Sequence, residues 1–334
     1  MNISRPRRDD LDLAKGLGIF LVVFGHIAAR QQSAGNSWYT YAQTAVYTFH
    51  MPFFLYLSGY VAFMTGAART NFPKWPRLAA RRSERLLLPF ITFGVILVVG
   101  KLIASHFMYV DNNPANLKTA FINLVWNTDA SPAISIWYMF VVFLATLLTP
   151  ILFWLSRGNA YLILAFSLAL FLIGLPHYVF ADRFAEYYFF FVLGGVAADL
   201  GEGWSKFVDK NYLMASCLLL AIILYLFSLD AFSPHWSHLL CGIVAIPALH
   251  GLVRSGMLRN SKALAYLGAF SFIIYLLNTP AMGVIKGVLL KWLEWDGRGF
   301  IVIATAMLLG GLLIPIAIKK LIFSRMSYID RLTD

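Results

Sequence analysis

With 334 residues, 60% of them hydrophobic and only 13% charged, this chain cannot cover itself with the polar surface a water-soluble domain needs. Its net charge of +11 would point to nucleic acid in a soluble protein, but here membrane topology accounts for the basic residues and no nucleic-acid partner is expected. Its two cysteines, Cys217 and Cys241, lie inside apolar runs, which argues against a disulfide framework or a cysteine-rich zinc site.

Apolar runs long enough to cross a bilayer recur with short polar breaks. They predict an all-α, polytopic integral membrane protein of about ten transmembrane helices, embedded in the lipid bilayer. The spans fall at roughly 11–29, 42–66, 84–106, 134–156, 159–180, 184–200, 211–229, 236–254, 263–290 and 299–323. The first run carries Asp12 and Lys15 and has no small-residue cleavage site behind it, so it reads as a retained helix and not a signal peptide. Residues 1–334 read as one membrane-embedded domain with no appended soluble domain. The longest loop, roughly 107–133, reads as a partial lid.

Charge sets the expected orientation. With the N-terminus in the cytoplasm, twenty of the 27 Lys and Arg fall on cytoplasmic segments. Six fall outside (Arg30, Lys118, Arg183, Lys286, Lys291 and Arg298), and Lys101 lies within a span. Both termini are therefore expected on the cytoplasmic side of the membrane.

Ionisable groups inside hydrocarbon are costly and mark candidate chemistry. The first span supplies Asp12, Lys15 and His26. Lys15 and His26 are eleven residues apart, nearly three full turns, so they share a face about 16 Å apart along the axis. Asp12, three residues before Lys15, joins that stripe; its plainer reading is an interfacial ion pair anchoring the helix. His50, in the second span, is expected at a depth similar to His26. Two such histidines can share a proton or flank a hydroxyl. No further ligand lies near in sequence, so no metal site is expected. Arg81, Arg82 and Arg85, with Lys74 and Arg77, form either a topological anchor or a basic mouth suited to phosphates.

Further along, Trp137 and Tyr138 open the fourth span, as an aromatic belt or a substrate contact. Glu186 opens the sixth span, and Asn278 lies within the ninth as helix–helix glue or a substrate contact. His106, His177, His235 and His238 fall in or near loops and carry little weight; His250 reads as structural.

These residues resemble a known family. Arg8, Leu11-Asp12, Lys15-Gly16 and Val22-Val23-Phe24-Gly25-His26 are similar to the opening of the membrane acyltransferase-3 family, marked by a basic residue, ten intervening residues and a histidine. The run from Phe49 to Tyr60 resembles the second-helix signature of its fucose 4-O-acetylase-like branch. Arg81, Arg82 and Arg85 before Leu88-Pro89, and Ile136-Trp137-Tyr138, resemble two further motifs. The late helix departs from the pattern, with Asn278 where histidine is usual.

The resemblance implies transfer of an acyl group, usually acetyl, from acyl-CoA to a sugar hydroxyl of an envelope or exported glycan, often lipid-linked. It implies acyl-CoA as co-substrate and no permanently bound cofactor. His26 would be the base, with His50, Lys15 and Asp12 in the catalytic set. Arg81, Arg82 and Arg85 would hold the acyl-CoA; Trp137, Tyr138, Glu186 and Asn278 would line the substrate site. The rival from the residues alone is a transporter or flippase for a small anion or a glycolipid, with the same groups as a proton relay. The absence of a visible internal repeat weighs against it.

Overall fold

The computed structural model describes residues 9–28, 32–106 and 116–333. Arg5, Arg7, Arg8 and Arg30, together with Asp111, Asn112, Asn113 and Pro114 of the expected lid, lie outside the described residues. The described residues form no β-strand, only two isolated bridges, Ala34 with Asp296 and Asn127 with Tyr178.

The helices in chain order are α1 (Asp9–His26), α2 (Ser37–Tyr47), α3 (His50–Met64), α4 (Trp75–Arg82), α5 (Leu88–Ala104), α6 (Leu117–Val125), α7 (Trp137–Leu155), α8 (Ala160–Ile173), α9 (Ala181–Leu200), α10 (Glu202–Ser228), α11 (Pro234–Arg254), α12 (Lys262–Ala269), α13 (Ser271–Leu289), α14 (Gly297–Leu321) and α15 (Ser327–Leu332). Among the described residues, six helical stretches are long and apolar enough to cross a membrane: Phe72–Ala104, Ile134–Leu155, Glu202–Ser228, His235–Arg254, Ser271–Leu289 and Gly297–Arg325. The other four expected spans correspond to α1, α3, α8 and α9, which are shorter or carry charged residues. The protein is thus a polytopic, all-α membrane protein.

Two expected spans are broken helices. Pro52 explains the first break. In an unbroken helix its ring would clash with the carbonyl of Thr48, and it has no N–H to donate there. The helix ends at Tyr47 and restarts at His50, with Pro52 tolerated in the new first turn. The ninth span divides at Phe270 into α12 and α13. Pro89 has a related effect upstream. The chain widens into a π-turn at Ser83–Leu87, relieving the clash between the proline ring and the Arg85 carbonyl four residues back.

Helix α1 lies centrally, packed on α2, α3, α11, α12, α13 and α14. Helices α3 and α9 make the closest long contact. A Cβ on Gly59 would lie 1.7 Å from the Phe191 carbonyl oxygen, so only glycine permits this approach. The bundle has two chemically distinct ends. One, the basic end, carries Lys15, Arg69 and Arg254; the other, the histidine end, carries His26, His50 and His238. Of the expected lid, Thr128, Ser131 and Ala133 are buried in the bundle, whereas Trp126, Asn127, Asp129 and Ala130 are exposed.

Candidate active site

The last carbonyls of a helix have no partner within it. At the end of α1 those carbonyls flank His26, and α2 supplies donors to them. Tyr39 Oη donates to the Phe24 oxygen at 2.6 Å. Gln43 Nε2 and Tyr47 Oη both donate to the Gly25 oxygen, at 2.7 and 2.8 Å. The residue before His26 is therefore held by two side chains from a separate helix.

The imidazole itself is oriented by α13. Asn278 is fully buried, and its Nδ2 donates to two carbonyls of its own helix, Ile274 at 2.8 Å and Tyr275 at 2.9 Å. Only Oδ1 is left to face His26, at 3.1 Å from Nδ1. An amide oxygen accepts and cannot donate, so His26 Nδ1 carries the proton. In the neutral ring Nε2 then holds the lone pair, the form a general base requires.

His50 stands at the first residue of α3, just past the proline-imposed break. Its Nδ1 donates to the Val46 oxygen at 2.9 Å, across the break. The Tyr47 ring lies 5.1 Å from its own. His26 and His238 are both within electrostatic range of His50.

Trp137 and Tyr138 are both half-buried against neighbouring helices. Tyr138 Oη is 2.5 Å from Ser58 Oγ of α3, and its backbone N–H donates to Tyr275 Oη at 3.2 Å. The tyrosine three residues before Asn278 thus satisfies an otherwise orphaned amide at the start of α7. Trp137 turns the other way, its ring 4.9 Å from Tyr187, with the Arg183 guanidinium 5.7 Å from the ring centre. Glu186 pairs with His238 of α11 through His238 Nδ1, and Arg183 is 3.8 Å away.

At the basic end, Lys15 Nζ is 3.5 Å from Asp12 Oδ1. This pair is separated from His26 by nearly the length of α1. Arg81 and Arg85 are exposed and Arg82 half-buried around the π-turn, which packs on α7. Arg254 clamps Asp209 through two hydrogen bonds of 2.7 and 2.9 Å and Asp10 through one of 2.7 Å. Beside it, Trp204 Nε1 donates to Tyr56 Oη, whose own proton goes to His250 Nδ1 at 2.7 Å. His250 is thereby tied into a network joining α3, α10 and α11.

The model of a family described as an acyltransferase domain matches residues 8–320. The chain belongs to the acyltransferase-3 family. Nodulation protein NolL of Sinorhizobium fredii (strain NBRC 101917 / NGR234) is 28% identical over 224 residues, covering 64% of this chain and 56% of NolL. The chain therefore aligns with little more than half of that relative's length. No solved structure matches.

In this member of the family, the residues singled out from sequence divide into two groups. His26, His50, Trp137, Tyr138, Glu186 and Asn278 gather at the histidine end; Asp12, Lys15, Arg81, Arg82 and Arg85 do not join them. Gln43, Tyr47 and Tyr275 escaped sequence reasoning, and His238 reads in sequence as a loop residue of little weight. The first three act through hydrogen bonds between separate helices, which leave no local pattern. His238 left a faint signal: it opens an apolar run, as Glu186 opens another. Among the described residues, the one group of three metal-competent side chains is Asp129, His177 and Asp182. It lies at a loop corner and includes neither His26 nor His50.

Proposed function

We propose that this acyltransferase moves an acyl group, in the first instance acetyl, from acyl-CoA to a hydroxyl of an envelope or exported glycan. The observation carrying this reading is the single tautomer that Asn278 imposes on His26, which presents Nε2 as a base. The acceptor hydroxyl gives its proton to His26 Nε2 as its oxygen attacks the thioester carbonyl. The tetrahedral oxyanion collapses, the C–S bond breaks, and the departing thiolate takes the proton back from His26. No proton is gained or lost overall, so one histidine serves both halves of the reaction.

The donor is a soluble polyanion, and Arg81, Arg82 and Arg85 offer guanidinium groups suited to phosphates. This reading places the basic end and both termini in the cytoplasm of a bacterial inner membrane, with Asp12 and Lys15 shaping the donor path. His50 is a second imidazole for the reacting groups, and Trp137, Tyr138 and Glu186 line the acceptor side. The signature from Phe49 to Tyr60 favours the fucose 4-O-acetylase-like branch, which would make a sugar the acceptor.

The test is thiol release from acetyl-CoA by the purified chain in nanodiscs, with and without a mixed envelope-glycan extract. Stimulation by the extract that His26→Ala abolishes, in a protein that still binds acetyl-CoA, supports the reading. A folded wild-type chain that binds no acyl-CoA refutes it.

A further inference from the structure

Three imidazoles lie at the histidine end of the bundle, and each has its Nδ1 committed. His26 is bonded to the amide oxygen of Asn278 at 3.1 Å, His50 to the backbone oxygen of Val46 at 2.9 Å, and His238 to a carboxylate oxygen of Glu186. The partners differ in charge, and that difference divides the chemistry. An imidazolium beside an amide or a backbone carbonyl is an unpaired charge in an apolar bundle. An imidazolium beside a carboxylate is one half of an ion pair. His26 is therefore suited to start neutral and receive a proton, whereas a proton on His238 would have a carboxylate to pair with.

The Glu186–His238 pair is built into the helix packing. Their side chains are only 16% and 13% exposed, costly burial for ionisable groups at the mouth of a membrane bundle. Arg183, 3.8 Å from the second oxygen of Glu186 and stacked over Trp137, braces the carboxylate. Gly242, one turn beyond His238 on the same face of α11, lets the helices close: a Cβ there would lie 2.7 Å from the Phe190 ring and 2.8 Å from Pro52. Phe190 is one turn beyond Glu186 on α9, and Pro52 is two residues beyond His50. The pair thus occupies the layer of His50, which lies within electrostatic range of both His26 and His238.

We propose that His238, held by Glu186, is a catalytic residue of the acyl-transfer site, donating from Nε2 to the thioester carbonyl oxygen as it becomes the tetrahedral oxyanion. This rests on the acyl-CoA reading above. His26 takes the acceptor hydroxyl's proton, the new O–C bond forms, and the carbonyl π pair moves onto the oxygen that His238 hydrogen-bonds. When the carbonyl reforms and the C–S bond breaks, the hydrogen bond relaxes and His238 keeps its proton. Glu186 is a positioning residue.

The experiment compares wild type with His238→Ala, His238→Gln and Glu186→Gln in nanodiscs, using acetyl-CoA and the glycan extract. Loss of one oxyanion donor costs roughly 10²–10³-fold in kcat. His238→Ala is expected to lose about that much, with the KM for acetyl-CoA changed less than about threefold. His238→Gln, which keeps a neutral N–H donor, is expected to recover part of the loss, and Glu186→Gln to fall between wild type and His238→Ala. Wild-type kcat in His238→Ala overturns the assignment while leaving the acyl-transfer reading standing. So does a folded His238→Gln no better than the alanine variant, or a defect confined to KM. A wild-type chain that releases no thiol from acetyl-CoA overturns the reading and this assignment together.

Discussion

Replacing Asn278 by leucine isolates what the amide does for His26. The two carbonyls that accept from Nδ2 lie three and four residues back on the same helix, where backbone N–H groups also serve them. Losing Nδ2 there costs little, and leucine fills a similar volume. The loss is concentrated on His26 Nδ1–H, whose acceptor at 3.1 Å disappears. A buried donor without a partner costs about 1–3 kcal/mol, and the ring escapes that cost by moving its proton to Nε2, where it can no longer act as a base. At about 1.4 kcal/mol per tenfold, the active tautomer falls by roughly 5- to 140-fold, and turnover with it. The assay is thiol release against acetyl-CoA affinity in the same preparation: kcat should fall while affinity holds. Asn278→Asp is the contrasting variant. It keeps an acceptor for His26 but sets a second oxygen 2.8–2.9 Å from two carbonyl oxygens, so it should fold less well than the leucine variant. Wild-type turnover in Asn278→Leu, or a loss seen only in donor affinity, would refute the tautomer argument.

Tyr47→Phe and Gln43→Leu each remove one of two donors to the Gly25 oxygen. Each should cost about 1 kcal/mol, whereas the double variant, stripped of both, should cost more than the sum when thermal unfolding is followed in detergent. Strict additivity would mean the shared carbonyl is satisfied elsewhere. Neutralising Arg81, Arg82 and Arg85 together should raise the KM for acetyl-CoA by about tenfold or more with little change in kcat, and the effect in wild type should weaken with salt; an unchanged KM would leave these arginines as topological anchors only. At the loop corner, His177 lies 3.1 Å from Asp182 and 3.2 Å from Asp129, and these partners, Asp182 foremost, raise its pKa above the usual 6.5. A raised pKa in the folded state means the tether is complete below about pH 6.5 and is lost as pH rises through the higher folded value. Hydrogen exchange in residues 126–130 and 177–182 should therefore speed up on the alkaline side beyond its intrinsic rate, and His177→Ala should remove that transition.

The polytopic architecture was legible because lipid imposes a crude rule, long apolar runs punctuated by charge, that a linear sequence displays directly. The stripe of Asp12, Lys15 and His26 was legible for a related reason: helical periodicity places residues on a face without reference to any neighbour. Even the break before His50 has a local cause in Pro52, although its exact place emerged only once the helix ended at Tyr47. The fate of the other polar residues was not legible. Nothing within α13 says that Asn278 would turn its oxygen to His26, 252 residues away, because that depends on which helix packs beside it. His238 looked like a loop residue until Gly242 allowed α11 to close on α9 and α3 and bring it to Glu186. The sequence by itself determined a membrane-embedded helical chain with a histidine-bearing first helix, since spans and faces follow from one-dimensional spacing. Which histidine is paired with an amide and which with a carboxylate was decided by tertiary structure alone, because helices remote in sequence must meet before their side chains can select a tautomer or share a charge.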